Sequence, residues 1–313
     1  MAALDDRPDR TTLVDRYSRL SAAWRRTILL APAFALIGAF GLAPLGLMLV
    51  YSFLVPGTYG GVIWEFSPEA YIQFLFERDI FDETLAFNAS YLQIGARSVI
   101  LAGLAVLGCL LIGYPTAYFI ATRPPGIRNV LIFLVTVPFW TNLLVRTFSM
   151  MLILRDEGPL NAALRGIGIT DRPLALLYTD FAIGIGLLYS FLPFMVLPIY
   201  ASLERVDFRL VEAAYDLYAN RWKVLRRILI PLSLPGIAGG SFLVFILSLS
   251  SFLAPDLLGG GKHLMIGNLI VQQFGTARNW PFGAATAMVL LAFVLIALMI
   301  YARQAARRDR QAG

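Results

Sequence analysis

Few residues in this chain have the type and spacing for covalent chemistry. The run Gly259-Gly-Gly-Lys262 looks like a phosphate-cradling loop, which requires a first glycine five places upstream and a hydroxyl after the lysine. Here the upstream position is Asp256 and His263 stands where Ser or Thr must be, so a glycine-rich turn is expected instead. With one cysteine (Cys109) and one histidine, no internal disulfide and no metal-ligand cluster can form. No Ser/His/Asp set is recognisable, so the chain is expected not to be an enzyme. What the residues offer is recognition: Glu212-Ala213-Ala214 sets a carboxylate beside two small side chains that permit close backbone approach.

That triplet lies in segment 204–236, which is longer than a loop between apolar stretches needs and is patterned throughout. Asp207 can cap a helix whose apolar positions are Leu210, Val211, Ala214 and Leu217. Asn220 tolerates the left-handed conformation that ends a helix. A second short helix is expected over 221–230, broken by Pro231 and Pro235 before the next apolar stretch. The physics leaves two readings open: an amphipathic loop packed on its own spans, or one that docks a partner.

The elements holding this loop are membrane spans. Of the 313 residues, 58% are hydrophobic and 15% charged. A soluble domain carries roughly 45–50% apolar and about 25% charged residues, and the mean hydropathy here is +0.71. Six stretches, 28–54, 94–121, 129–154, 181–203, 237–255 and 283–302, are long enough to cross a hydrocarbon core of about 30 Å at about 1.5 Å per residue. The first exceeds a signal-peptide core of about 7–15 residues and is kept as a span. The fold class is therefore an all-α, polytopic membrane helical bundle of six transmembrane helices.

Charge sets the expected orientation. With the N-terminus inside, the inner segments hold eighteen Lys and Arg and the outer segments six, so both termini come out cytoplasmic. The divisions are a cytoplasmic tail 1–27, a first transmembrane helix 28–54, an outer segment 55–92, a core 93–302 and a cytoplasmic tail 303–313. The outer face counts eleven acidic residues, among them Glu65, Glu69, Glu77, Asp79, Asp82 and Glu83. It would attract cations, although an outer loop low in Lys and Arg looks acidic by default. Leu13, Val14, Tyr17, Leu20 and Trp24 recur at helical spacing between arginines, as in a helix lying on the inner leaflet.

Glu212-Ala213-Ala214, Leu217, Ile230-Pro231 and Leu234-Pro235-Gly236 fall in register with the Glu-Ala-Ala loop of binding-protein-dependent ABC importer permeases, which this segment resembles. The glycine usual in that loop is Tyr218 here. A bulky residue there should alter the bend between the two helices, with Asn220 expected to supply the turn. Five further runs are similar to spermidine/putrescine permeases of the PotB/PotH type: Pro138-Phe-Trp140-Thr-Asn142 with Arg146, Leu192 to Pro198, Asp256 to Gly260, Met265 to Asn268 and Trp280 to Gly283.

The resemblance implies a type I importer (MetI-like) permease fold over 93–302, in a bacterial inner (plasma) membrane. It implies a second related permease, two ATPase subunits and a periplasmic solute-binding protein, with segment 55–92 periplasmic. ATP and Mg would be bound by the ATPase subunits, leaving no cofactor in this chain. The substrate would be a small cation, and no nucleic acid is involved. Coupling to the ATPase would fall to Glu212, Ala213, Ala214, Asp216, Leu217 and Tyr218.

A polyamine site needs carboxylates and aromatic faces. Trp140, beside Thr141 and Asn142, and Asp256, at the outer end of the fifth span, are pathway candidates. Their bland alternatives are a bilayer-interface tryptophan and a solvated helix end. Tyr71, in the acidic outer segment, is a candidate for contact with substrate or binding protein. Arg146 would repel a cation, so it is expected to pair with a carboxylate or satisfy carbonyls. Pro115, Pro138, Pro193 and Pro198 should kink spans, and Gly103, Gly108 and Gly113 should let helices approach. The competing readings are an importer of another solute, a secondary transporter, and a membrane scaffold that docks a partner.

Overall fold

The computed structural model describes residues 22–78 and 85–312. The surface helix expected from Leu13 to Leu20 and the acidic Asp79, Asp82 and Glu83 lie outside the described residues. The chain forms two units, one ending at Tyr51 and one starting at Ser52. The first consists of α1 (Ala22–Ile37) and α2 (Ala43–Tyr51), joined without a break by a π-helical turn, Gly38–Leu42. Its apolar stretch Leu29–Tyr51 is long enough to cross a bilayer.

The second unit opens with structure that helical periodicity did not reveal. β1 (Leu54–Pro56) pairs antiparallel with β2 (Val62–Phe66), Gly60 and Gly61 turning the hairpin at positive φ. A short α3 (Glu69–Ile72) leads to a second antiparallel pair, β3 (Phe76–Arg78) with β4 (Leu85–Phe87). These hairpins are short and lie outside the spans, where water can bond their free edges.

The core is a trio of long helices: α4 (Ser90–Ala121), α8 (Asp180–Leu203) and α11 (Ile230–Leu249). Cys109 and Ala117 of α4, Met195 and Ile199 of α8 and Val244 of α11 are buried together. Lipid tails are as apolar as leucine, so close packing rather than exclusion of water must hold such helices together. Small residues provide it. A Cβ on Gly108 would sit 2.6 Å from the Leu188 side chain, and one on Gly240 would sit 3.2 Å from the Met195 carbonyl. Gly113 likewise faces Met195 and Val196, whereas Gly103 faces open space in an apolar groove shared with Ala238, Phe242 and Tyr301. Two of the three expected contact glycines therefore meet a helix.

Two expected spans differ from the structure. The stretch 129–154 is not one straight helix: α5 (Pro125–Trp140) stops before α6 (Leu143–Leu154), and the chain bends by 89° between Pro125–Trp140 and Leu143–Gly166. Pro138 removes one amide near the end of α5, and Thr141 and Asn142 take extended backbone. The stretch 237–255 is also redrawn. Pro231 and Pro235 do not break the chain, because α10 (Arg221–Val224), a π-turn (Leu225–Leu229) and α11 run on as one 29-residue span, Arg221–Leu249. The wider turn gives the proline ring room, and Pro231 sits just past it, in the first turn of α11. The chain then leaves this span at Leu249, before Pro255, and starts a separate helix, α12 (Leu253–Leu258).

Three more helices complete the unit: α7 (Pro159–Gly166), α13 (Ile266–Phe274) and α14 (Trp280–Ala312). Among the described residues five helices are long and apolar enough to span, and the bent α5–α6 pair makes a sixth.

The tightest point of the core generates a test. A Cβ on Gly236 would lie 2.3 Å from the Pro198 carbonyl oxygen, which is backbone and cannot swing aside. Gly236→Ala should cost about 1–3 kcal/mol of packing and lower the unfolding temperature in detergent, whereas Gly103→Ala, with open space, should not. Equal melting of the two variants would show that α8 and α11 are not closely packed there.

Candidate functional site

Segment 204–236 is built as a bent helix pair. Asp207 Oδ1 accepts the Arg209 amide at 3.0 Å, starting α9 (Arg209–Asp216) as the sequence suggests. Val211 is buried and Ala214 half-buried against Val224 and Leu203 of the span core. Leu210 and Leu217, of the same apolar set, are exposed. The loop thus does two things at once. One edge seats it on its own spans, and the other presents Glu212, Ala213, Asp216, Leu217 and Tyr218 to solvent.

The turn between α9 and α10 corrects the expected role of Asn220. The left-handed residue is Tyr218, with φ +59°. The Ala219 amide donates to the Ala214 carbonyl at 3.0 Å and the Tyr218 amide to the Tyr215 carbonyl at 2.9 Å, the bond pair of a Schellman stop. Asn220 is extended and caps the next helix, its Oδ1 accepting the Lys223 amide at 2.8 Å. A tyrosine therefore occupies the conformation that glycine adopts freely, at about 1–2 kcal/mol. Its side chain recovers nothing within the chain, being 96% exposed beside Leu217 at 82%.

The pathway candidates gather at breaks in helices. α5 has 16 residues, about 24 Å long at about 1.5 Å per residue, shorter than a hydrocarbon core of about 30 Å. Trp140 is its last residue and is 83% exposed, while neighbouring Phe139 packs edge-on to Phe194 of α8 at 5.3 Å. Asn142 caps α6, accepting the Leu144 amide at 2.8 Å. Asp256 sits on α12 rather than at the end of the fifth span, and its carboxylate is exposed.

Of two further candidates, Arg146 differs from expectation and Tyr71 shows a contact within the chain. Arg146 lies in the first turn of α6 at 8% exposure, and its buried Nε and Nη1 have no hydrogen-bond partner among the described residues, neither carboxylate nor carbonyl. Tyr71 is half-buried, bonded through its hydroxyl to Ser52 Oγ at 2.9 Å and packed on Phe53, so it ties the outer segment together.

Sequence reading missed two clasps. At one end Arg97 forks onto Asp180, Nε to Oδ1 at 3.1 Å and Nη2 to Oδ2 at 2.8 Å, and His263 Nδ1 lies against both, able to accept from Arg97 or, when protonated, to donate to Asp180, but not both at once. At the other end Arg128 Nη1 meets Glu204 Oε1 at 2.9 Å, at the entry to the patterned loop. Each bidentate or bridged pair joins residues 76 or more apart, a distance across which no local spacing speaks. Gly259 to Gly261 form a turn, with Gly260 and Gly261 at positive φ; a Cβ on Gly260 would strike Tyr178.

The chain belongs to the family of binding-protein-dependent transport system inner membrane components, whose pattern matches residues 109–310. Among its relatives, the spermidine/putrescine transport system permease protein PotB of Salmonella typhimurium is 42% identical over 75% of this chain and 81% of that protein. PotB of Haemophilus influenzae is 39% identical over 82% of this chain and 89% of that protein. Among solved structures, a bacterial alginate ABC transporter in complex with a pentasaccharide-bound periplasmic protein shares the fold, with TM-score 0.68 and 18% identity over 94% of this chain and 97% of that one.

Removal of the Asn220 cap tests the local geometry. Asn220→Ala should cost about 1 kcal/mol and speed hydrogen exchange at the amides of Trp222 and Lys223 by roughly fivefold; unchanged exchange would mean that the cap does not hold α10.

Proposed function

We infer that this chain is a transmembrane permease subunit of an ATP-driven, binding-protein-dependent polyamine importer. The observation that carries the reading is the exposed edge of 204–220, the face of a Glu-Ala-Ala helix not used in packing on its own spans, in a chain of this family. The substrate class rests on identity to relatives that transport spermidine and putrescine. In this reading the loop lies in the cytoplasm, as do both termini, in keeping with the excess of Lys and Arg on that side.

Glu212, Ala213, Ala214, Asp216, Leu217 and Tyr218 engage an ATPase subunit. A second permease completes the pore, two ATPase subunits bind ATP and Mg, and a periplasmic solute-binding protein delivers a small cationic substrate. Hydrolysis moves the docked loop. Because α10, the π-turn and α11 are one continuous helix, a displacement of the loop is transmitted along it into the core trio without a flexible joint. Trp140, Asn142 and Asp256 offer an aromatic face, an amide and a carboxylate to a passing ammonium group.

The test is uptake of labelled spermidine by proteoliposomes holding the permease pair, the ATPase subunits and the binding protein. Uptake should require ATP on the ATPase side. Uptake without ATP or without the ATPase subunits would exclude the importer reading, and import of other solutes only would exclude polyamines. Glu212→Lys should lower uptake about tenfold or more with normal amounts in the membrane; wild-type uptake would show that the loop does not couple. Trp140→Leu should raise KM by roughly fivefold, from the loss of about 1 kcal/mol of cation–π contact; an unchanged KM would make it a bilayer anchor only.

A further inference from the structure

Tyr218 combines two observations that conflict within the free chain. Its backbone is left-handed, at φ +59°, where a side chain is a burden that glycine avoids. Its ring is 96% exposed, so no contact inside the chain offsets that burden. The hydrogen bonds of the turn come from main-chain groups and would form equally well with glycine. Neither the helix stop nor the fold asks for an aromatic ring here. Strain kept at one exposed position points to a contact made outside the chain.

The surroundings narrow what makes that contact. Leu217 and Trp222 are exposed on either side of the ring, and Glu212 and Asp216 stand exposed along the preceding helix. The opposite edge, with Val211 and Val224, is buried against the spans. Exposed charge of both signs flanks Tyr218 along the chain, Glu212 and Asp216 before it and Arg221 and Lys223 after it, a mixed rim that suits a protein surface better than the uniformly anionic face of a cytoplasmic leaflet. An apolar centre with charges at its margin is instead the composition of a protein-binding anchor, in which Tyr and Trp are over-represented.

We propose that Tyr218 is a specificity-determining residue for the ATPase subunit: its ring enters an apolar slot on that subunit, whose rim carries basic side chains facing Glu212 and Asp216. This rests on the reading of 204–236 as the ATPase-docking loop, and deepens it. The left-handed turn projects the ring from the bend, so a glycine loop of the same backbone would lack the anchor and leave the slot empty. The chain would then discriminate its own ATPase from those matched to loops with glycine.

The experiment measures the affinity of the transporter's ATPase subunit for the permease pair in nanodiscs, alongside permease melting. Tyr218→Gly should weaken capture by about tenfold or more while its melting temperature stays level or rises. Tyr218→Phe, which keeps the ring, should bind within about twofold of the unaltered protein. Tyr218→Gly binding normally while Glu212→Lys fails to bind would overturn the role of Tyr218 and leave the docking loop standing. Normal binding by both would overturn the docking loop itself. Loss in Tyr218→Phe as large as in Tyr218→Gly would overturn the apolar slot.

Discussion

In hydrocarbon a peptide group finds hydrogen-bond partners only among other peptide groups or buried side chains. That constraint accounts for the continuous helices of the core trio and for the care taken where helices stop. α4, α8 and α11 keep their main-chain bonds internal except where Pro115, Pro193, Pro198 and Pro235 lie inside them, and glycines such as Gly108, Gly236 and Gly240 bring their axes close enough for dispersion to hold them. Where the chain leaves helical geometry between two apolar helices, at Thr141 and Asn142, side chains take over: Asn142 caps α6 and Thr141 Oγ1 donates to the Pro138 carbonyl at 2.7 Å.

The same economy explains why the functional groups sit where they do. A helix break exposes side chains that a straight span would bury or give to lipid, and Trp140, Asn142 and Asp256 all lie at or just beyond such breaks. The patterned loop is the complementary case outside the hydrocarbon. It is held at its entry by Arg128 and Glu204, seated by Val211 and Ala214, and continued rigidly into α11, so its free edge is an exposed lever on a fixed base. At the other end Arg97, Asp180 and His263 join the N-terminal parts of α4 and α8 to the turn before α13. Motion of the core trio must therefore be concerted or must break one of these clasps.

Much of this was legible in the residue order because it depends on short-range physics. Apolar length fixes spans by the thickness of the bilayer, and Asp207 could be read as a cap because its partner is two residues away. Prolines were less legible. Pro231 looks like a stop in a one-dimensional reading, yet a single π-turn accommodates it, and whether that turn forms depends on what packs against Leu229. Tyr71 looked available because its partner, Ser52, is nineteen residues away.

The sequence by itself determined that the chain is a multispan membrane protein, which stretches are apolar enough to cross, and that a recognisable Glu-Ala-Ala helix lies within 204–220, because composition, charge and i to i+4 spacing act locally. Only the tertiary structure decided that the chain bends by 89° between Pro125–Trp140 and Leu143–Gly166, that Arg97 pairs with Asp180, that Arg146 is buried, and that Tyr218 rather than Asn220 takes the left-handed turn. Each of these depends on which groups meet across the fold, and on which of two plausible residues the surrounding packing leaves free to bend.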